Sequence, residues 1–125
     1  MFETLQIKVF GTQPAALVTN KILERIIQRD FGDCDNEVKQ KLRQITSDTR
    51  AGKNRISAAI IKLSNKDINV IDHYIDMTKN DFRDVISRAE YPRCFKLDFG
   101  QAEKKLNIKQ VYLSDWNEYS NWLNH

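Results

Sequence analysis

The segment DFRDVISRAEYP, residues 81–92, gathers residue types that acid–base chemistry uses: carboxylates at Asp81, Asp84 and Glu90, guanidinium groups at Arg83 and Arg88, and a phenol at Tyr91. His73 stands between Asp72 and Asp76, the start of a metal or proton-transfer site, and GKN at 52–54 sets a lysine after a glycine as phosphate loops do. None of these completes a motif. TSDTRAGKN lacks the first glycine of the phosphate loop and has Asn54 where a metal-binding hydroxyl belongs, which argues against a nucleotide hydrolase. Zinc requires further ligands at local spacing, and neither cysteine nor His125 supplies one near His73. There is no G-x-S-x-G elbow, no H-E-x-x-H and no dinucleotide fingerprint. The expectation is a protein that is not an enzyme, with no catalytic residues, no metal and no cofactor.

The elements that position these residues are mostly helical. Val18, Ile22, Leu23, Ile26 and Ile27 recur at helical spacing from Ala15 to about Gln28, with Gly32 as the stop. Asp33 or Asp35 can cap a second helix that buries Val38, Leu42 and Ile45, and Asn54 can cap a third built on Ile56, Ala59, Ile60 and Leu63. Ser64 and Asn65 interrupt that pattern before Ile68, Ile71, Tyr74 and Ile75 resume it. Thr78 or Asn80 can start the next helix, whose buried side is Phe82, Val85, Ile86 and Ala89, and Pro92 ends it by disfavouring helical geometry at Tyr91. CFKLDF alternates like a short strand, LNIKQVYL fits strand or helix, and a last helix from Ser114 or Asp115 buries Trp116, Tyr119 and Leu123.

The fold expected is therefore mainly α: a single domain over residues 1–125, a compact bundle of about six helices. A small β element is added if residues 2–10, which alternate, pair with 94–99 or 106–113 within the 94–113 region. The apolar stripe turns most charges of DFRDVISRAEYP outward. Asp84 and Arg88 form an i, i+4 pair, and Asp81 suits the first turn of its helix. Arg83 on the flank and the Glu90–Tyr91 exit are left as residues for packing or recognition. Trp122 falls off the stripe of Trp116 and Tyr119 and reads either as a surface anchor for a partner or as a ring packed against the N-terminal strand.

Charge is unevenly spread. The net value is only +3, but residues 38–62 hold Lys39, Lys41, Arg43, Arg50, Lys53, Arg55 and Lys62 against Asp48, whereas residues 67–84 hold five aspartates against Lys79 and Arg83. Such a basic run can track a phosphate backbone, yet no aromatic residue is interleaved to stack on bases. The two cysteines match no metal spacing, and no stretch approaches the ~20 apolar residues of a membrane span. A reduced, cytoplasmic chain without membrane contact is expected.

Over residues 54–93, NRISAAIIKLS, KDINVIDHYIDMTK and DFRDV ending in AEYP, the chain resembles a group of small bacterial helical proteins of unknown function. The resemblance carries over no catalytic residue. In size and style such a chain looks like an immunity protein that binds a cognate toxin, and the reading of the residues themselves offers Arg83, Asp84, Arg88, Glu90, Tyr91 and Trp122 as partner-binding residues. The alternative is a nucleic-acid or phosphate binder that uses Lys39, Arg43, Arg50, Lys53, Arg55 and Lys62.

Overall fold

Thr19 opens the first helix. Its backbone is extended and its hydroxyl accepts a hydrogen bond from the Ile22 amide at 3.1 Å, satisfying a donor that has no partner inside the helix. In the computed structural model, which describes residues 16–97 and 108–125, this helix is α1, Asn20–Phe31. Gly32 ends it with a φ of 50°, a conformation that suits a residue without a Cβ. A 3-10 turn over Gly32–Cys34 leads into α2, Asp35–Leu42.

Helix α3, Arg50–Ser64, is capped by Thr49, whose hydroxyl accepts from the Gly52 amide at 3.0 Å. Asn54, expected at that cap, lies inside the helix instead, because Thr49 supplies the extended residue and the acceptor earlier in the chain. The Asn54 side chain is buried and donates to Asn20 Oδ1 at 2.7 Å, tying α3 to the start of α1. The interruption expected at Ser64–Asn65 is present: Asn65 adopts φ 51° and ψ 46°, a left-handed conformation that asparagine tolerates.

A 3-10 turn over Ile68–Val70 precedes α4, Ile71–Glu90, which is broken within its length. Asp81 has φ −157° and ψ 100°, and its Oδ1 accepts from the Arg83 amide at 3.0 Å and from Arg83 Nε at 3.1 Å. Asp81 is thus the cap of the second half, in place of Thr78 or Asn80.

The expected strand at 94–99 is helical as far as it is described. Pro92 occupies the first position of α5, Pro92–Leu97, where a residue without an amide hydrogen costs nothing. The Asp115 carboxylate accepts from the amides of Arg93 and Cys94, both at 3.1 Å through Oδ2, and from the Arg93 guanidinium at 2.9 Å. A carboxylate borrowed from another helix therefore starts α5. The last helix, α6, Ile108–Asn124, begins before Ser114, so residues 108–113 are also helical. Residues 2–10, the other half of the expected sheet, lie outside the described residues. Asp115 is 1% exposed and bonds several donors at once, so Asp115→Ala is expected to destabilise the protein by about 2–4 kcal/mol, with Asp115→Asn smaller, measured by urea unfolding.

The main core collects Ile26 and Ile27 of α1, Val38 and Leu42 of α2, Ile56, Ala59 and Ile60 of α3, Ile75, Val85 and Ala89 of α4, and Tyr119 and Leu123 of α6. Each fully buried isoleucine contributes about 1.5–3 kcal/mol of burial. A smaller cluster of Tyr91, Cys94 and Tyr112 joins α5 to α6. Phe82 departs from the expectation: it is 47% exposed, because it follows the Asp81 cap directly and lies at the open end of that helix half, while Val85, Ile86 and Ala89 of the same stripe are buried.

Glu90 and Tyr91 are also inside, each 0% exposed. Arg55 reaches across from α3 and places Nε at 2.9 Å and Nη2 at 2.8 Å from the Glu90 carboxylate oxygens. Glu90 therefore braces the α3–α4 contact, Tyr91 packs against Tyr112 and Trp116 of α6, and both leave the partner-binding set.

A candidate partner-binding face at the break in helix α4

Three of the remaining partner-binding residues stay at the surface: Arg83, Asp84 and Arg88, all on the second half of α4. Arg83 is the most open, with 80% of its side chain exposed. The guanidinium is held by Asp81, and that hydrogen bond keeps the Asp81 carboxyl below its ordinary value. Asp84 and Arg88 make the expected i, i+4 contact at 3.7 Å, and the Arg88 guanidinium lies 4.8 Å over the Phe95 ring. These contacts fix the side chains in place and still leave them open to another molecule.

Phe82, which the apolar spacing assigned to the core, completes the face. It edges a groove of about 630 Å³ whose other walls include Gln44, Thr46, Ser47, Thr78 and Lys79. The groove exists because the chain between α2 and α3 passes close to the start of α3. A Cβ at Gly52 would stand 2.5 Å from Ser47 Oγ, so the glycine lets Ser47 fold against the helix. An exposed aromatic ring beside an arginine and a hydroxyl-rich groove offers an apolar anchor with polar groups around it, the layout of a protein-binding surface. The signal in the sequence was Asp81, since a cap one residue before Phe82 sets that ring at the open end of the helix.

Of the two readings of Trp122, an open anchor and a packed ring, the structure favours packing. Its ring stacks on Tyr119 with centroids 5.4 Å apart, and Arg29 and Lys62 lie 5.0 and 5.8 Å from its centroid. Arg29 also donates to the Trp122 carbonyl at 2.6 Å, and Arg25 donates to the carbonyl of Leu123. Half-buried among these groups, Trp122 fastens α6 to α1 and α3 and is not an open anchor.

The basic residues do not form one stripe. Arg55 is committed to Glu90, whose hydrogen bond raises the arginine above its ordinary value, and Lys62 lies over Trp122. Lys39 pairs with Glu24 at 3.0 Å and Asp35 at 3.7 Å, and Lys41 pairs with Asp72 at 2.7 Å. The acidic run thus reaches back to the basic one through Lys41 and Asp72. Arg50 is exposed at the start of α3, and Arg43 and Lys53 border a small cleft with Lys39. A nucleic-acid backbone would meet separated charges.

His73 is exposed, with its ring centroid 5.2 Å from that of Tyr74. Among the described residues no group of three His, Cys, Asp or Glu side chains is placed to hold a metal, and no helix is long and apolar enough to cross a membrane. Comparison of the chain with family models, curated proteins and solved structures gives no match.

Proposed function

We propose that the chain is a non-enzymatic module that binds another protein through the face around Phe82 and Arg83, in the manner of an immunity protein that covers a cognate toxin. The observation that carries this reading is Phe82, a phenylalanine 47% exposed at the rim of a groove and beside an open arginine. Support also comes from the charges of DFRDVISRAEYP. Asp81 caps a helix half, Asp84 holds Arg88, and Glu90 is sealed against Arg55, so these groups have structural work. Cys34 and Cys94 form no disulfide, which accords with a reducing, cytoplasmic compartment.

The test is to express the protein with the product of the neighbouring gene and to isolate the complex in mild salt. Phe82→Ala and Arg83→Glu are each expected to weaken the complex about thirty-fold, the size of a 2 kcal/mol anchor, with little change in the urea midpoint. A complex that forms equally well with both substitutions would move the interface elsewhere. Absence of any complex would overturn the reading.

A further inference from the structure

Between α1, α2 and α3 lies a second cleft, of about 130 Å³, that shares no lining residue with the groove beside Phe82. Its apolar walls are Leu23 and Ile27 of α1 and Leu42 of α2. Arg43 and Lys53 stand at its border, and neither has a carboxylate within ion-pair distance among the described residues. Ser57 lines it from α3. This serine is 1% exposed, and among the described residues its hydroxyl makes no hydrogen bond. The hydroxyl is not sealed from the cleft, so a ligand lying there can accept its hydrogen bond.

We propose that this cleft binds a short aliphatic carboxylate, with Arg43 and Lys53 on its oxygens, the Ser57 hydroxyl donating to it, and its hydrocarbon stem against Leu23, Ile27 and Leu42. The mixed walls select the chemistry. A guanidinium matches a carboxylate with parallel hydrogen bonds, and an ammonium adds a point charge. Phosphate, polar on every side, would turn oxygens toward the leucines and isoleucine and lose hydration there without return. The volume equals roughly four waters, which limits the ligand to a few carbon atoms. Lys39, already held by Glu24 and Asp35, adds long-range attraction and no open donor pair. Two sources offer this chemistry: a free short-chain acid, and a glutamate side chain of a bound protein.

Amide-resolved NMR of the full chain, titrated with sodium butyrate, reads the site directly, with inorganic phosphate and butylammonium chloride at matched ionic strength as controls. Saturable shifts centred on Lys53–Ser57 are expected with butyrate alone. Arg43→Gln and Ser57→Ala should each weaken butyrate binding at least five-fold, whereas Phe82→Ala should leave it unchanged, which keeps this site separate from the proposed protein-binding face. A capped Ala-Glu-Ala peptide forms the second arm. Binding of the peptide as tight as that of butyrate assigns the site to a protein side chain, and binding at least ten-fold weaker assigns it to a free acid. No saturable shift with either probe, or equal shifts with phosphate that Ser57→Ala does not alter, would overturn the proposal.

Discussion

Arg55→Leu is expected to destabilise the protein by about 3–5 kcal/mol, a large part of the roughly 5–15 kcal/mol that keeps a typical domain folded. Glu90 is 0% exposed, and Arg55 holds both of its oxygens, at 2.8 and 2.9 Å. Removing the arginine leaves a carboxylate in the interior with no compensating charge. The same logic makes the pair itself dispensable. Replacing both partners with apolar residues, Arg55→Leu with Glu90→Met, removes the two desolvation costs together, and the double variant is expected to recover most or all of the loss. Urea midpoints of the single and double variants provide the comparison. A double variant no more stable than Arg55→Leu alone would show that the pair also sets the geometry of α3 against α4.

Alkali should unfold the protein over a defined range. Burial pushes the Tyr91 and Tyr119 phenols well above their ordinary value, and the nearby Glu90 carboxylate pushes them in the same direction. Both groups hold their protons more tightly in the folded chain than in the unfolded one. Their contribution to stability is therefore complete below about pH 10 and declines above it, with a slope of about 1.4 kcal/mol per pH unit for each tyrosine. Tyr119 has a second consequence. Its hydroxyl is the one sealed side-chain polar atom without a hydrogen bond among the described residues. Tyr119→Phe should raise stability by about 1 kcal/mol at neutral pH and also flatten the alkaline decline by one tyrosine. Urea titrations at pH 8, 10 and 11 test both effects, and an unchanged alkaline slope in the variant would show that Tyr119 does not ionise on unfolding in this range.

The helices were legible where one apolar face repeats without competition. Ile56, Ala59 and Ile60 of α3, and Val85, Ile86 and Ala89 of α4, are all buried as their spacing implied, and Tyr91 leaves helical geometry before Pro92. What was not legible depends on partners distant in the chain. CFKLDF alternates like a strand, but its first residues become helix because Asp115, 21 positions beyond Cys94, satisfies their amides. Glu90 stays open between a packed corner and a partner contact in the sequence because its partner Arg55 is 35 positions away. The face around Phe82 was half visible: Arg83 stands out on the helix flank, but the spacing of Phe82 with Val85, Ile86 and Ala89 implies a buried ring, whereas the cap falls at Asp81 and leaves Phe82 at the open helix end. The basic residues were recognised, while their division between structural pairs and the small cleft required the α1–α2–α3 junction. Ser57 carried no signal of its own, since a serine in a helix is unremarkable until its surroundings are known.

The division of the interior into a large aliphatic cluster and a small aromatic one, Tyr91 with Cys94 and Tyr112, has a dynamic consequence. Among the described residues the smaller cluster holds fewer buried side chains, so it is expected to open more readily than the larger one. The layer formed by α5 and the first turns of α6 is then expected to open while the isoleucine interior stays closed. Cys94, 0% exposed in the closed state, then becomes open to thiol reagents without global unfolding. The rate at which that thiol reacts is a built-in clock for the breathing of one end of the protein.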